Sequence, residues 1–187
     1  GYACKPTDSR WIQDRQSFLD VYHDTLGVVI GGGNTKLQPY WSTFTVGDPA
    51  LLSHQVGDEK PNFTPDIDLS WAPDSASIAE EDGVPCLTLS YGGIDCRVSC
   101  RASGENRLRF TFEAPAGRRV EAHLPLMMRQ RRLQLENGQK VRLSEAPALL
   151  SAKEIGGSFL YGDLRVSVPP GASLRWPAWQ HNPYKKD

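Results

Sequence analysis

No apolar run in this chain approaches the ~20 residues that a membrane-spanning helix needs. No signal-peptide pattern opens it. Charge of one sign is also lacking. The net charge is −1, so no overall field draws the chain to nucleic acid or to a lipid surface, and neither is expected as a partner. Any electrostatic role must come from a local patch. Cysteine and histidine are scarce, at four each, and no Cys-x-x-Cys or Cys/His spacing marks a zinc site. No EF-hand ligand pattern is present, and no Gly-x-Ser-x-Gly nucleophile elbow. Neither a metal nor a cofactor is expected. Internal repeats, heptads and low-complexity tracts are missing as well.

What is present is glycine, 17 residues, and proline, 14, spread among short alternating segments. With 39% hydrophobic and 23% charged residues in 187, the chain has the makings of one packed domain. The pattern predicts an all-β protein with tight turns. The chain opens Gly-Tyr-Ala rather than with Met, which reads as a processed protein or a piece of a longer one.

One long helix is expected, over residues 8 to 24. Trp11, Ile12, Phe18, Leu19 and Tyr22 approximate one apolar face, Asp8 or Ser9 caps the start, and Gly27 follows the end. Residues 1–26 then form a helical segment and 27–187 a β-sandwich, with a long Pro-, Asp- and Ser-rich loop excursion at 47–83 carrying short strands.

Beyond Pro85 the strands can be registered by counting. A two-residue Gly92-Gly93 turn pairs Tyr91 with Ile94 and Leu89 with Cys96. Leu87, Leu89 and Tyr91 then share an inward face with Ile94, Cys96, Val98 and Cys100. The five-residue loop SGENR (103–107) keeps Leu108, Phe110 and Phe112 on that face, and Val120, Ala122, Leu124 and Leu126 are expected to continue it. In the ENG turn, a three-residue loop with Gly138 left-handed puts Leu133, Leu135, Val141 and Leu143 together. The expected result is a meander of about six strands. Strands near 28–32, 40–46, 148–152, 157–161, 164–168 and 173–176 supply a second sheet.

This register also bears on the cysteines. Cys96 and Cys100 lie about 13 Å apart along one strand, too far to bridge. Cys86 faces the other way. Reduced thiols are expected, and Cys4 with Cys86 is the only pairing that the register leaves open.

Four groups of residues can carry function. GGGNTKLQPYWSTF (31 to 44) is no nucleotide cradle, because Lys36 stands outside the Walker spacing and Pro39 blocks the helix such a loop must open. It reads either as a bulged strand and turn, or as a loop presenting Asn34, Lys36, Tyr40 and Trp41 to a sugar. At the C-terminus Trp179, Asn182 and Tyr184, with Trp176, His181 and Lys185, form either a buried aromatic plug or a binding platform. On the polar face of the meander the register aligns Arg101, Arg109 and His123, while Thr88, Arg97, Glu113 and Arg119 form a row of alternating sign. Like charges directly opposite are unfavourable without an anion or a nearby carboxylate, such as Glu121 or Glu136. The Arg101–Arg109–His123 row is therefore either a solvated basic face or a site for a carboxylated or sulfated sugar. The acidic residues Asp66, Asp68, Asp74, Glu80, Glu81 and Asp82 read as a solvated loop, and Asn62-Phe63-Thr64 is a formal glycosylation sequon.

The run YHDTLGVVIGGGNTKLQPYWSTF, residues 22 to 44, and the closing LRWPAWQHNPYKKD resemble the sandwich region of heparinase II/III-like polysaccharide lyases. The resemblance implies a supersandwich-like β domain that follows an α/α toroid. It implies an acidic polysaccharide as partner, a missing helical domain, and a periplasmic or secreted setting. Since the toroid supplies much of the cleft, this chain is expected to be a glycan-binding or site-shaping domain rather than an active enzyme by itself. The alternatives are a lyase acting with a helical partner, for which His54 and His123 are the candidate catalytic residues, and a purely structural or protein-interaction module.

Overall fold

A computed structural model describes residues 20–31, 43–47, 69–70, 73–124, 126–127, 130–144 and 148–176. Among these the protein is all-β, with antiparallel strands in several sheets and one four-residue helix. It divides into two compact units, Met127–Gln180 and the remainder.

The first unit begins with a hairpin, β1 (Val21–His23) and β2 (Gly27–Ile30). This corrects the end of the expected helix; the part before Asp20 lies outside the described residues. Val21 and Tyr22 are β-branched and aromatic, and Val28, Val29 and Ile30 lie close enough to pair with them. His23 Nδ1 accepts hydrogen bonds from the N–H groups of Thr25 (3.2 Å) and Leu26 (3.3 Å), which closes the turn. Gly27, with φ of 68°, takes the left-handed position rather than capping a helix.

Next come β3 (Phe44–Gly47), β4 (Leu69–Ser70), β5 (Ser75–Glu81), β6 (Val84–Tyr91), β7 (Ile94–Ala102), β8 (Leu108–Glu113) and β9 (Val120–Ala122). They form a four-stranded sheet in the order β5-β6-β7-β8 and a three-stranded one in the order β4-β3-β9. Tyr91 pairs with Ile94, Leu89 with Cys96 and Ala102 with Leu108, as the counting requires. Strands β4 and β5 fall within the expected excursion, of which 48–68, 71 and 72 lie outside the described residues. The turn from β5 to β6 is Asp82-Gly83, both residues at positive φ, the conformation that closes a two-residue hairpin.

Strand β8 is an edge of its sheet, and β9 pairs with β3 instead. Of the expected six-strand meander only β6, β7 and β8 stay side by side in this sheet, and β5, from outside that meander, makes the fourth strand. The reason is burial. Phe44, Leu87, Leu89, Tyr91, Cys96 and Val98 form a buried cluster, with Val120, Val46, Phe110 and Phe112 packed against it. The apolar face of β6–β8 needs a cover, and β3 and β9 provide one. Phe44 meets Phe112 edge-on at 6.0 Å between ring centroids, and the Tyr91 hydroxyl donates to the Phe44 carbonyl at 3.1 Å. Cys86, Cys96 and Cys100 are free thiols, as the register implied. Cys4 lies outside the described residues.

The second unit contains β10 (Arg132–Leu135), β11 (Lys140–Arg142), β12 (Ala148–Ser151), α1 (Ala152–Ile155), β13 (Ser158–Tyr161), β14 (Leu164–Ser167) and β15 (Ser173–Trp176). Its sheets are ordered β11-β10-β13-β14 and β12-β15. Leu133 opposes Val141, and the Gly138 N–H donates to the Leu135 carbonyl at 2.9 Å, so Glu136-Asn137-Gly138 is a three-residue loop. Gly138 has φ of 86°. Leu133, Leu135, Leu143, Ile155, Phe159 and Tyr161 are buried. Ser151 caps α1 in a reciprocal box with Glu154. Those hydrogen bonds, from the Ser151 hydroxyl and then its backbone N–H, hold the Glu154 carboxyl below its usual range.

Candidate functional site

The outward face of β5–β8 follows from alternation. With Leu89, Tyr91, Cys96 and Val98 inward, the outward positions are Ser75, Ser77 and Ala79 on β5, Cys86, Thr88 and Ser90 on β6, Asp95 to Arg101 at odd numbers on β7, and Arg109, Thr111 and Glu113 on β8.

Two kinds of cation occupy this face. Arg97 stands beside Thr88 and Glu113, as expected. Its Nη2 donates to Glu81 Oε2 at 2.5 Å and to Cys86 Sγ at 3.2 Å, and its Nη1 lies 3.9 Å from Glu113 Oε2. The hydrogen bond to Glu81, ahead of the contact with Cys86, raises its proton affinity above that of an ordinary guanidinium. Arg97 is therefore a neutralised, structural cation. The fourth member expected in that row, Arg119, is not on a neighbouring strand; its carbonyl accepts the Gly47 N–H at 2.9 Å.

Arg101 and Arg109 differ. They are direct cross-strand partners on β7 and β8, both exposed. Among the described residues neither has an ion-pair partner; the ion pairs recorded on this face belong to Arg97. The adjoining row carries two hydroxyls, Ser99 opposite Thr111. Two guanidiniums and two hydroxyls thus form a small donor-rich patch at one end of the sheet.

His123 does not complete that row. It follows β9 in the three-stranded sheet, where its N–H donates to the Thr43 carbonyl at 2.8 Å. Its Nε2 shares a hydrogen bond of 3.1 Å with Oγ1 of Thr45, which is fully buried. The imidazole joins β3 to β9 rather than facing an anion beside the arginines. The carboxylates considered for the row are elsewhere too: Glu121 is opposite Thr45, and Glu136 is in a turn of the second unit. Asn34, Lys36, Tyr40, Trp41, His54, Trp179, Asn182 and Tyr184 lie outside the described residues.

Sequence reasoning also missed a basic feature in the second unit. Arg132 and Arg142 are direct cross-strand partners. The signal was available, since the three-residue ENG loop that aligns Leu133 with Val141 also aligns this pair. No group of three or more His, Cys, Asp or Glu among the described residues is arranged to hold a metal ion. No helix there is long and apolar enough to cross a membrane. Comparison with protein-family models, curated proteins and solved structures found no match to this chain.

Proposed function

We propose that this chain is a β domain of a carbohydrate-active system and binds an acidic glycan at the Arg101–Arg109 patch. The observation that carries the reading is the contrast between arginines on one sheet face. Arg97 is neutralised by Glu81 and Glu113, whereas Arg101 and Arg109 oppose each other with no carboxylate against them among the described residues. Like charges in register cost stability, and a bound carboxylate or sulfate relieves that cost. Guanidinium forks suit both anions, because each offers bidentate acceptor oxygens. Ser99 and Thr111 supply the neutral hydrogen bonds that sugar hydroxyls require. The likeness of residues 22 to 44 to heparinase II/III-like lyases supports the same ligand class.

Calorimetry with uronate and sulfated oligosaccharides tests this. Charge-assisted hydrogen bonds are worth about 1.5–3 kcal/mol each, so R101A/R109A is expected to weaken binding at least tenfold. An R97A variant is expected to leave affinity nearly unchanged while lowering stability. No acidic glycan binding to the wild type would overturn the proposal.

A further inference from the structure

The near-neutral total of this chain conceals a segregation. Residues Met127–Gln180 contain eight Lys or Arg and four Asp or Glu, a net charge of +4. The rest of the chain holds thirteen against eighteen, a net charge of −5. Such asymmetry within one chain is a sign of a polyanionic partner.

The positive charge is concentrated on one face. In the sheet β11-β10-β13-β14, Lys140 opposes Gln134, Gln134 opposes Leu160, and Leu160 opposes Arg165. Two residues along, Arg142 opposes Arg132. These side chains alternate with buried Leu133, Leu135 and Phe159, so they share the outward face. Lys140, Arg142, Arg132 and Arg165 are exposed. The four strands contain no Asp or Glu. Glu136, beside Gly156 and Gly157, and Asp163 are in turns between these elements. No ion pair involves the four cations among the described residues.

We propose that this face binds the phosphate backbone of a double-stranded nucleic acid without reading its sequence. Arg142 lies one strand spacing, about 5 Å, from Arg132 and one pleat repeat, about 7 Å, from Lys140, and Arg165 stands about 14 Å from Lys140 across Gln134 and Leu160. That is a strip suited to a run of closely spaced charges. The aromatics of these strands, Phe159 and Tyr161, are buried on the other side. The outward face therefore offers no platform for unpaired bases, the main device of single-strand binding. What remains is contact through charge alone, for which duplex phosphates suffice. The inference uses none of the residues of the proposed glycan site, so either can fail without the other.

Fluorescence anisotropy of a short labelled DNA duplex, titrated with the full chain between about 50 and 200 mM salt, tests it. The expected slope of log K against log salt is about −3.6 for four neutralised phosphates. R132Q/R142Q is expected to shorten it by about 1.8, with R165Q removing about half as much. R101A/R109A is expected to leave it unchanged. Far-UV circular dichroism checks that the variants fold, and R132K/R142K is expected to restore binding. Absence of duplex binding at the lowest salt would overturn the proposal, and so would an unchanged slope in R132Q/R142Q. Tighter binding of a sulfated oligosaccharide at equal ionic strength, lost in the same variants, would also overturn it and assign the face to a glycan.

Discussion

The three described cysteines show how one residue type takes different roles from its position on a strand. Cys86 is buried on the outward face and accepts a hydrogen bond from Arg97. Cys96 is fully buried in the core, and burial, with Asp95 adding to it, pushes its thiol up to about 11. Cys100 is raised by burial as well. A thiol that resists ionisation is a poor nucleophile, so Cys96 and Cys100 behave as small apolar residues. The consequence for stability has a definite sign. Below pH 9.0, its ordinary value, Cys96 is neutral whether folded or unfolded. Above that the unfolded chain releases the proton and the folded one does not, so stability falls as pH rises from 9.0 towards about 11. Urea titrations across this window are expected to show the decline, and C96A is expected to flatten it. A decline of equal size in C96A would remove Cys96 as its cause.

Hairpins were the elements most legible in advance. Gly92-Gly93, the SGENR loop and Glu136-Asn137-Gly138 follow from the parity of inward positions on either side, which a local count supplies. Asp82-Gly83 carries the same kind of signal, but its acidic surroundings and the prolines before it led to a loop being expected there. The beginning of the chain misled differently. Tyr22 fits a helical face as well as a strand, and periodicity over so few residues does not separate the two. The ENG loop offers a test at this scale. Gly138 has φ of 86°, and nothing lies within 4 Å of a Cβ placed there. A side chain at this position therefore costs backbone strain alone, roughly 1–2 kcal/mol. Chemical denaturation of G138A is expected to show a loss of that size, whereas a loss near zero would mean that the loop adopts another turn.

For the whole molecule the decisive feature is which sheet each strand joins. Phe44 is buried in the cluster between β3 and the β6–β8 face, touches Phe112 edge-on, and its carbonyl accepts the Tyr91 hydroxyl. It therefore ties the two sheets together. F44A is expected to cost about 3–5 kcal/mol and to lower the melting temperature of the first unit. A loss below about 1 kcal/mol would mean that the sheets do not depend on this contact. The candidate site divides along the same line. The Arg101–Arg109 pair was visible beforehand because a five-residue loop joins its strands. The place of His123 was not, because β9 leaves β8 to pair with β3. The two-unit division and the basic face of β11-β10-β13-β14 were equally hidden, since both depend on which strands stand side by side.

By itself the amino-acid order determined strand alternation, hairpin register and the inward placement of Leu87, Leu89, Tyr91, Cys96 and Val98. These follow from residues at short offsets, where the backbone period of two and the length of the turn admit few solutions. Only the tertiary structure decided that β9 covers the core instead of extending the meander, that β5 brings Glu81 to Arg97, and that His123 braces Thr45. Those outcomes depend on distant strands competing for the same apolar face, and that competition is settled by total burial rather than by any local pattern.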